Sequence, residues 1–166
     1  MESERTQSVW KVLGVVLLLL VSGVLVYRSF LSGAGGGERA FFYDLSEGEL
    51  FVASRELIPP IRGVNDEVED GVRAVVISTN GDVRDKSSWV VSYLEMYTPE
   101  LKGQMERARE TGVAPEMGRG MAQAHRLVRR VEGGEWYSMN TAEAEFIIGG
   151  WLTAGPGGGP AVVCVP

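Results

Sequence analysis

Residues Val12 to Val26 form an apolar run of fifteen residues, opened by Trp10-Lys11 and closed by Tyr27-Arg28, and no other stretch of the chain restricts its fold as strongly. Val9, Trp10, Tyr27, Phe30 and Leu31 extend the run to a length that crosses a hydrocarbon slab of ~30 Å at about 1.5 Å per helical residue. Lys11 fits such a span because its stem lies along the helix while the ammonium reaches the headgroups, and Trp10 and Tyr27 suit the interface. A cleavable signal peptide is the alternative, with Ser32-Gly33-Ala34 as a small-residue cut site. The length of the run, and the bulky Tyr27, Arg28, Phe30 and Leu31 before that triplet, favour an uncleaved anchor.

The local Lys/Arg counts that set orientation are tied, with Arg5 and Lys11 before the span and Arg28 and Arg39 after it. A short leading tail and a long following segment fit a signal anchor that keeps the N-terminus in the cytoplasm and places the domain outside it. The expected organisation is a tail over residues 1–8, a transmembrane helix over 9–31, a Gly-rich tether over 32–37, an α+β domain over 38–153 and a Gly/Pro-rich tail over 154–166. The tether, Ser32-Gly33-Ala34-Gly35-Gly36-Gly37, has little to pack and separates this chain from pilin-like subunits, whose membrane helix continues directly into the domain.

A domain of about 125 residues buries a real core without disulfides. Cys164 is the only cysteine, so intramolecular bridges are excluded and the redox compartment is left open. Only five of the charged side chains precede Glu38, which leaves the rest of the chain at a net charge of −7. That charge opposes binding to a phosphate backbone, so nucleic acid is not an expected partner. No polybasic stretch flanks the span, so the lipid bilayer is contacted through the anchor alone.

Within the domain, Ala40 to Leu45 and Leu50 to Ala53 flank Ser46-Glu47-Gly48-Glu49 and predict a β-hairpin with Gly48 at positive φ. Ile58-Pro59-Pro60-Ile61 cannot lie inside a helix and is expected to run extended over the core. Ala74-Val75-Val76-Ile77 reads as a central strand. After the Asn80-Gly81-Asp82 turn, Val90, Tyr93, Leu94 and Tyr97 fit one helical face capped by Ser87 or Ser88, although the aromatic and β-branched content also suits a strand. Helix is preferred because simple alternation buries Glu95 beside Trp89, Val91, Tyr93 and Tyr97.

Thr98 as N-cap, Pro99 at the first helical position and Gly112 past the end delimit a helix with Leu101, Met105 and Ala108 on its apolar stripe. Met121, Ala124, Val128 and Val131 fit another helical face, yet Leu127 to Val131 and Trp136-Tyr137 around Gly133-Gly134 read as a hairpin, which is preferred for the second half. Asn140 with Glu143 three residues on resembles a capping box before a helix buried through Phe146, Ile147, Ile148, Trp151 and Leu152. The final Ala161 to Val165 run is either a docked edge strand or disordered. The fold class is therefore α+β: a transmembrane helix, a tether, and a small mixed domain with β-hairpins and about three helices.

The segments Phe42-Tyr43-Asp44-Leu45, Gly48, Leu50-Phe51, Tyr93-Leu94-Glu95, Tyr97-Thr98-Pro99-Glu100, Leu127-Val128-Arg129-Arg130 and Glu135-Trp136 resemble a family of small, uncharacterised bacterial single-pass membrane-anchored proteins. The resemblance carries no established activity. It implies that some relatives hold a Cys-x-x-Cys where this chain has Ser78-Thr79-Asn80-Gly81, and further cysteines near the end. With Cys164 alone, any metal site built from those thiolates should be absent here.

No catalytic, cofactor-binding or metal-binding residue is assigned. His125 is the only histidine, and Ser78, Ser87, Ser92 and Ser138 lack a nucleophile-elbow motif, so a surface or packed imidazole is expected. Cys164 lies too near a free end for rigid positioning. Asp66, Glu67, Glu69 and Asp70 suggest a hard cation, but neither register from Asn65 or Asp66 meets an EF-hand loop, and a solvated loop is expected. Zinc has too few ligands, and neither glycine run sits in a phosphate-cradling context.

Arg126, Arg129 and Arg130, with Trp136 and Tyr137 nearby, are the candidate interaction residues, because arginine beside aromatics is the composition of interface anchors. Cross-strand pairing of those arginines with Glu132 and Glu135 is the simpler expectation. Two function classes follow: a non-catalytic envelope protein that docks onto a protein partner in the membrane or envelope, or an enzyme built on His125 or on carboxylates such as Asp44 and Asp82.

Overall fold

The structure, a computed structural model, describes residues 38–64, 68–150 and 160–166, so the expected span, its leading tail and the tether lie outside the described residues. Among the described residues no helix is long and apolar enough to cross a membrane. Glu38–Pro166 forms one compact unit of mixed α+β architecture, with a seven-stranded antiparallel sheet and three helices among the described residues.

β1 (Arg39–Asp44) and β2 (Glu49–Ser54) pair in unbroken register from Arg39↔Ser54 to Asp44↔Glu49. Gly48 closes the turn at φ 72°, as the hairpin reading requires. β3 (Gly71–Ser78) lies between β1 and β4 (Trp89–Tyr97), and its near-continuous burial matches a central strand. β5 (Arg126–Arg129) and β6 (Tyr137–Ser138) complete the order β2-β1-β3-β4-β5-β6, while β7 (Val162–Val163) pairs with the end of β3. The expected hairpin around Gly133-Gly134 therefore forms, and the terminal run is a docked strand.

The helix expected after Ser87 or Ser88 is instead β4. Val75 pairs with Tyr93 and Val76 with Val91, so Ser92 is an extra, bulged residue. The bulge shifts the phase of alternation. Trp89 and Val91 before it, and Leu94 and Met96 after it, pack on one face, while Tyr93 turns to the other. A strand with one inserted residue imitates helical spacing, which is why the period-2 test failed. Glu95 is accommodated because the Tyr93 hydroxyl hydrogen-bonds it and Arg126 lies 3.8 Å away. Burial, the Glu95 charge and that hydrogen bond together push the Tyr93 hydroxyl pKa up to about 12.

One face of the sheet carries Phe41, Val72, Ala74, Val76, Leu94 and Cys164, ringed by Tyr43, Trp89, Val91, Met96, Val131 and Trp136. The sheet curls enough that Phe41 of β1 meets Trp89 of β4 edge to face, with centroids 5.7 Å apart. The other face packs Tyr93 and Val128 against α3 (Ala142–Gly149) through Ala144 and Ile147.

α1 (Pro99–Thr111) follows its signals: Thr98 Oγ1 accepts from Leu101 N–H, Pro99 opens the helix and Gly112 ends it at φ 72°. Leu101 is its buried residue. Pro59 is buried, with its carbonyl accepting from Tyr97 N–H and that of Pro60 accepting from Lys102 Nζ, but the chain bends at both prolines across a cis Pro59–Pro60 bond instead of running extended. α2 (Arg119–Ala124) is a short helix before β5.

α3 departs from its reading in two ways. Thr141, not Asn140, is the N-cap, with Thr141 Oγ1 accepting from Ala144 N–H, because Asn140 Oδ1 is already engaged by the Ser138 hydroxyl. Phe146 is 70% exposed. An eight-residue helix presents only one stripe to the sheet, and Ala144 and Ile147 occupy it. Trp151 and Leu152 lie outside the described residues.

Candidate functional site

The five candidate interaction residues do not form one cluster, because strand alternation divides them. Arg129 points to the face where Trp136 packs, and its guanidinium lies 4.9 Å over that indole. Tyr137, the next residue, packs on the opposite face with Val128. Arg126 stands opposite Tyr97 in the ladder and forms its ion pair with Glu95. Arg130, just past β5, lies 5.5 Å over the ring of Phe146. The expected pairing with Glu132 and Glu135 is not made: among the described residues Arg129 and Arg130 are held over aromatic rings instead.

The Arg130–Phe146 contact borders a hollow of about 370 Å³ lined by Ile77, Ser92, Arg130, Glu132, Phe146 and Ile147. Ile77 pairs with Val163 on one side and Val90 on the other, so these three side chains share a face and make an apolar row. Val90 and Val163 are both exposed. Phe146, Val90 and Val163 were not identified from sequence. The available signal was Phe146-Ile147-Ile148, three large apolar residues in succession on a helix too short to bury them all.

His125 does not assemble a catalytic set. Its Nδ1 lies 2.9 Å from Thr98 Oγ1 and 3.8 Å from Glu100 Oε2, so a hydroxyl and a carboxylate address the same ring nitrogen. A nucleophile, base and orienting acid require opposite nitrogens. Thr98 Oγ1 is also committed as the α1 cap. Three of the four serines are engaged elsewhere, Ser78 with Asn80 and Ser88, Ser87 with Asp85, and Ser138 with Ala124 O and Asn140, and Ser92 sits in the β4 bulge at the Phe146 hollow.

The carboxylates considered for catalysis organise turns. Asp44 is buried and accepts from the N–H groups of Ser46, Glu47 and Val64 and from the Ser46 hydroxyl, at 2.8 to 3.1 Å. The Glu47 and Val64 amides, above all, hold its carboxyl below the usual aspartate range. Asp82 accepts from Arg84 N–H at 2.9 Å. Asp66 and Glu67 of the acidic loop lie outside the described residues. Glu69 pairs with Lys102 at 2.6 Å, and Asp70 accepts from Ser46 N–H. Among the described residues no three His, Cys, Asp or Glu side chains gather in a way that would hold a metal ion.

A larger hollow of about 570 Å³ lies between the Leu57–Ile61 segment and α1. Two of its three cations are engaged, Lys102 by Pro60 O, Glu69 and Glu106, and Arg109 by Glu56, so these contacts clamp α1 to the loop, while Arg62 lies close enough to Glu69 to favour its charged form. Cys164 is buried, which pushes its thiol pKa up and away from nucleophilic use. Compared with models of protein families, with curated proteins and with solved structures, the chain matches none.

Proposed function

We propose that this chain is a single-pass membrane protein whose α+β domain is a non-catalytic docking module of the envelope. In this reading residues 9–31 anchor it in the lipid bilayer, the N-terminus faces the cytoplasm, and the domain works on the other side against a protein partner. The apolar run Val12 to Val26 and the glycine tether support the anchor. The observation that carries the docking reading is Phe146, 70% exposed beneath Arg130 and beside the Val163, Ile77, Val90 row. An aromatic with an arginine over it, next to an apolar hollow, has the composition of an interface anchor. A membrane-tethered enzyme built around His125 is the competing reading, and the crowding of Thr98 and Glu100 on one ring nitrogen speaks against it.

A photo-reactive amino acid placed at position 146 of the full-length chain in its native membrane tests the proposal, with the exposed Val113 as the control position. A discrete protein adduct from position 146 that position 113 does not give is expected. Equal, diffuse labelling from both positions would overturn the docking surface. A reporter fused after Pro166 tests orientation, and reporter activity in the cytoplasm would overturn that part.

A further inference from the structure

The two-residue strands β6 and β7 are too short to template another chain, but β2 is a six-residue edge with no proline, lysine or bulge to blunt it. Leu50 is 41% exposed and Val52 37%, although their ladder partners Tyr43 and Phe41 belong to the core face. Among the described residues the apolar layer of the sheet thus stops at β2 without cover.

The ladder fixes which backbone groups are open. Arg55 N–H donates to Glu38 O, so within the register of the hairpin the odd-numbered β2 residues bond to β1. The N–H groups of Leu50, Val52 and Ser54 then point outward, with the carbonyls of Leu50 and Val52. The Ser54 carbonyl accepts from Leu57 N–H.

We propose that β2 pairs antiparallel with β2 of a second copy, centred on Val52, to make one sheet continuous across a twofold dimer. In that register Val52 exchanges both hydrogen bonds with Val52 of the partner copy, and each Ser54 N–H meets the opposite Leu50 carbonyl. Glu49 then lies opposite Arg55 of the other copy, twice. Glu49 is exposed and has no ion-pair partner among the described residues, and Arg55 is held only by the exposed Glu38. A register centred on Phe51 wastes the Ser54 N–H and sets Glu49 against Ala53, while a parallel arrangement sets Glu49 against Glu49. The contact is self-complementary and closes on itself, so it gives a dimer and not a filament. It uses a different edge of the domain from the Phe146 surface and stands independently of it.

The test is disulfide crosslinking of the full-length chain, purified in mild detergent, with Val52→Cys as the reporter and Val113→Cys as an exposed control. Val52→Cys is expected to give a product of twice the chain mass that Val113→Cys does not. In the Val52→Cys background, Glu49→Arg sets arginine against arginine and should lower dimer formation by roughly tenfold. Glu49→Arg with Arg55→Glu restores opposite charges and should recover it. Equal crosslinking at positions 52 and 113, or a charge swap as weak as Glu49→Arg alone, overturns the proposal.

Discussion

Deleting Ser92 should leave the domain folded. The ladder passes from Val76↔Val91 to Val75↔Tyr93 with Ser92 between them and unopposed. Without it, Val91 and Tyr93 become neighbours in a regular strand, and Trp89, Val91, Leu94 and Met96 keep the face they now occupy. The expected cost is about 1–2 kcal/mol, the scale of a local change in twist that leaves the core intact. If Ser92 were instead an ordinary member of the alternation, its deletion would turn Leu94 out of the core. Leu94 is fully buried, and losing such a residue alone costs roughly 2–5 kcal/mol. Tyr93 and Met96 would move with it, and the sum would reach the total stability of about 5–15 kcal/mol expected of a domain. Urea unfolding of the full-length chain, followed by tryptophan fluorescence because Trp89 and Trp136 flank this core, measures the difference. Deletion of Glu95 is the control, since it reverses Met96 and Tyr97 and displaces the Thr98 cap. An unfolded Ser92 deletion, or one as damaging as the Glu95 deletion, refutes the bulge.

Four further outcomes follow from individual contacts. Thr98→Ala removes the α1 cap and the hydroxyl partner of His125 and should cost about 1 kcal/mol in urea unfolding, with Thr98→Ser retaining most of it. Because the folded-state pKa of Asp44 lies below the ordinary 3.8, its stabilisation is complete above that value and is lost as pH falls through the lower folded value. Asp44→Asn should therefore lower the Tm at neutral pH and flatten the acid limb of a Tm-against-pH curve, because an amide cannot accept on both sides. The Cys164 thiol should react with a maleimide only after denaturation, and removal of residues 160–166 should lower the Tm by uncovering Val76 and Ile77.

Local signals sufficed wherever one element answered to its own sequence. Gly48 in its hairpin turn, Thr98-Pro99 and Gly112 around α1, and the apolar run of β3 each state their structure within a few residues. β4 was misread because a bulge is a property of the ladder, and an inserted residue is visible only once a partner strand supplies the register. The α3 cap was displaced by one residue because Ser138, outside the helix, claims Asn140. The arginines lie on β5 and just past it, on the expected hairpin, but their partners are Glu95 and two aromatic rings and not Glu132 and Glu135. Sequence proximity to Glu132 and Glu135 is weaker than the stacking on Trp136 and Phe146 that the strand faces impose. Phe146 was assigned to the core for a related reason: hydrophobicity says that a residue has a surface to cover, and only the packing of α3 says which surface goes uncovered.

If Phe146 anchors a docking contact of a membrane-held domain, as proposed, co-purification from solubilised membranes separates the wild-type chain from Phe146→Asp. The wild-type chain is expected to co-purify with a distinct protein, and Phe146→Asp, equally folded by its Tm, to lose that protein. Recovery of the wild-type chain with no protein other than itself, or the same partner retained by Phe146→Asp, would contradict it.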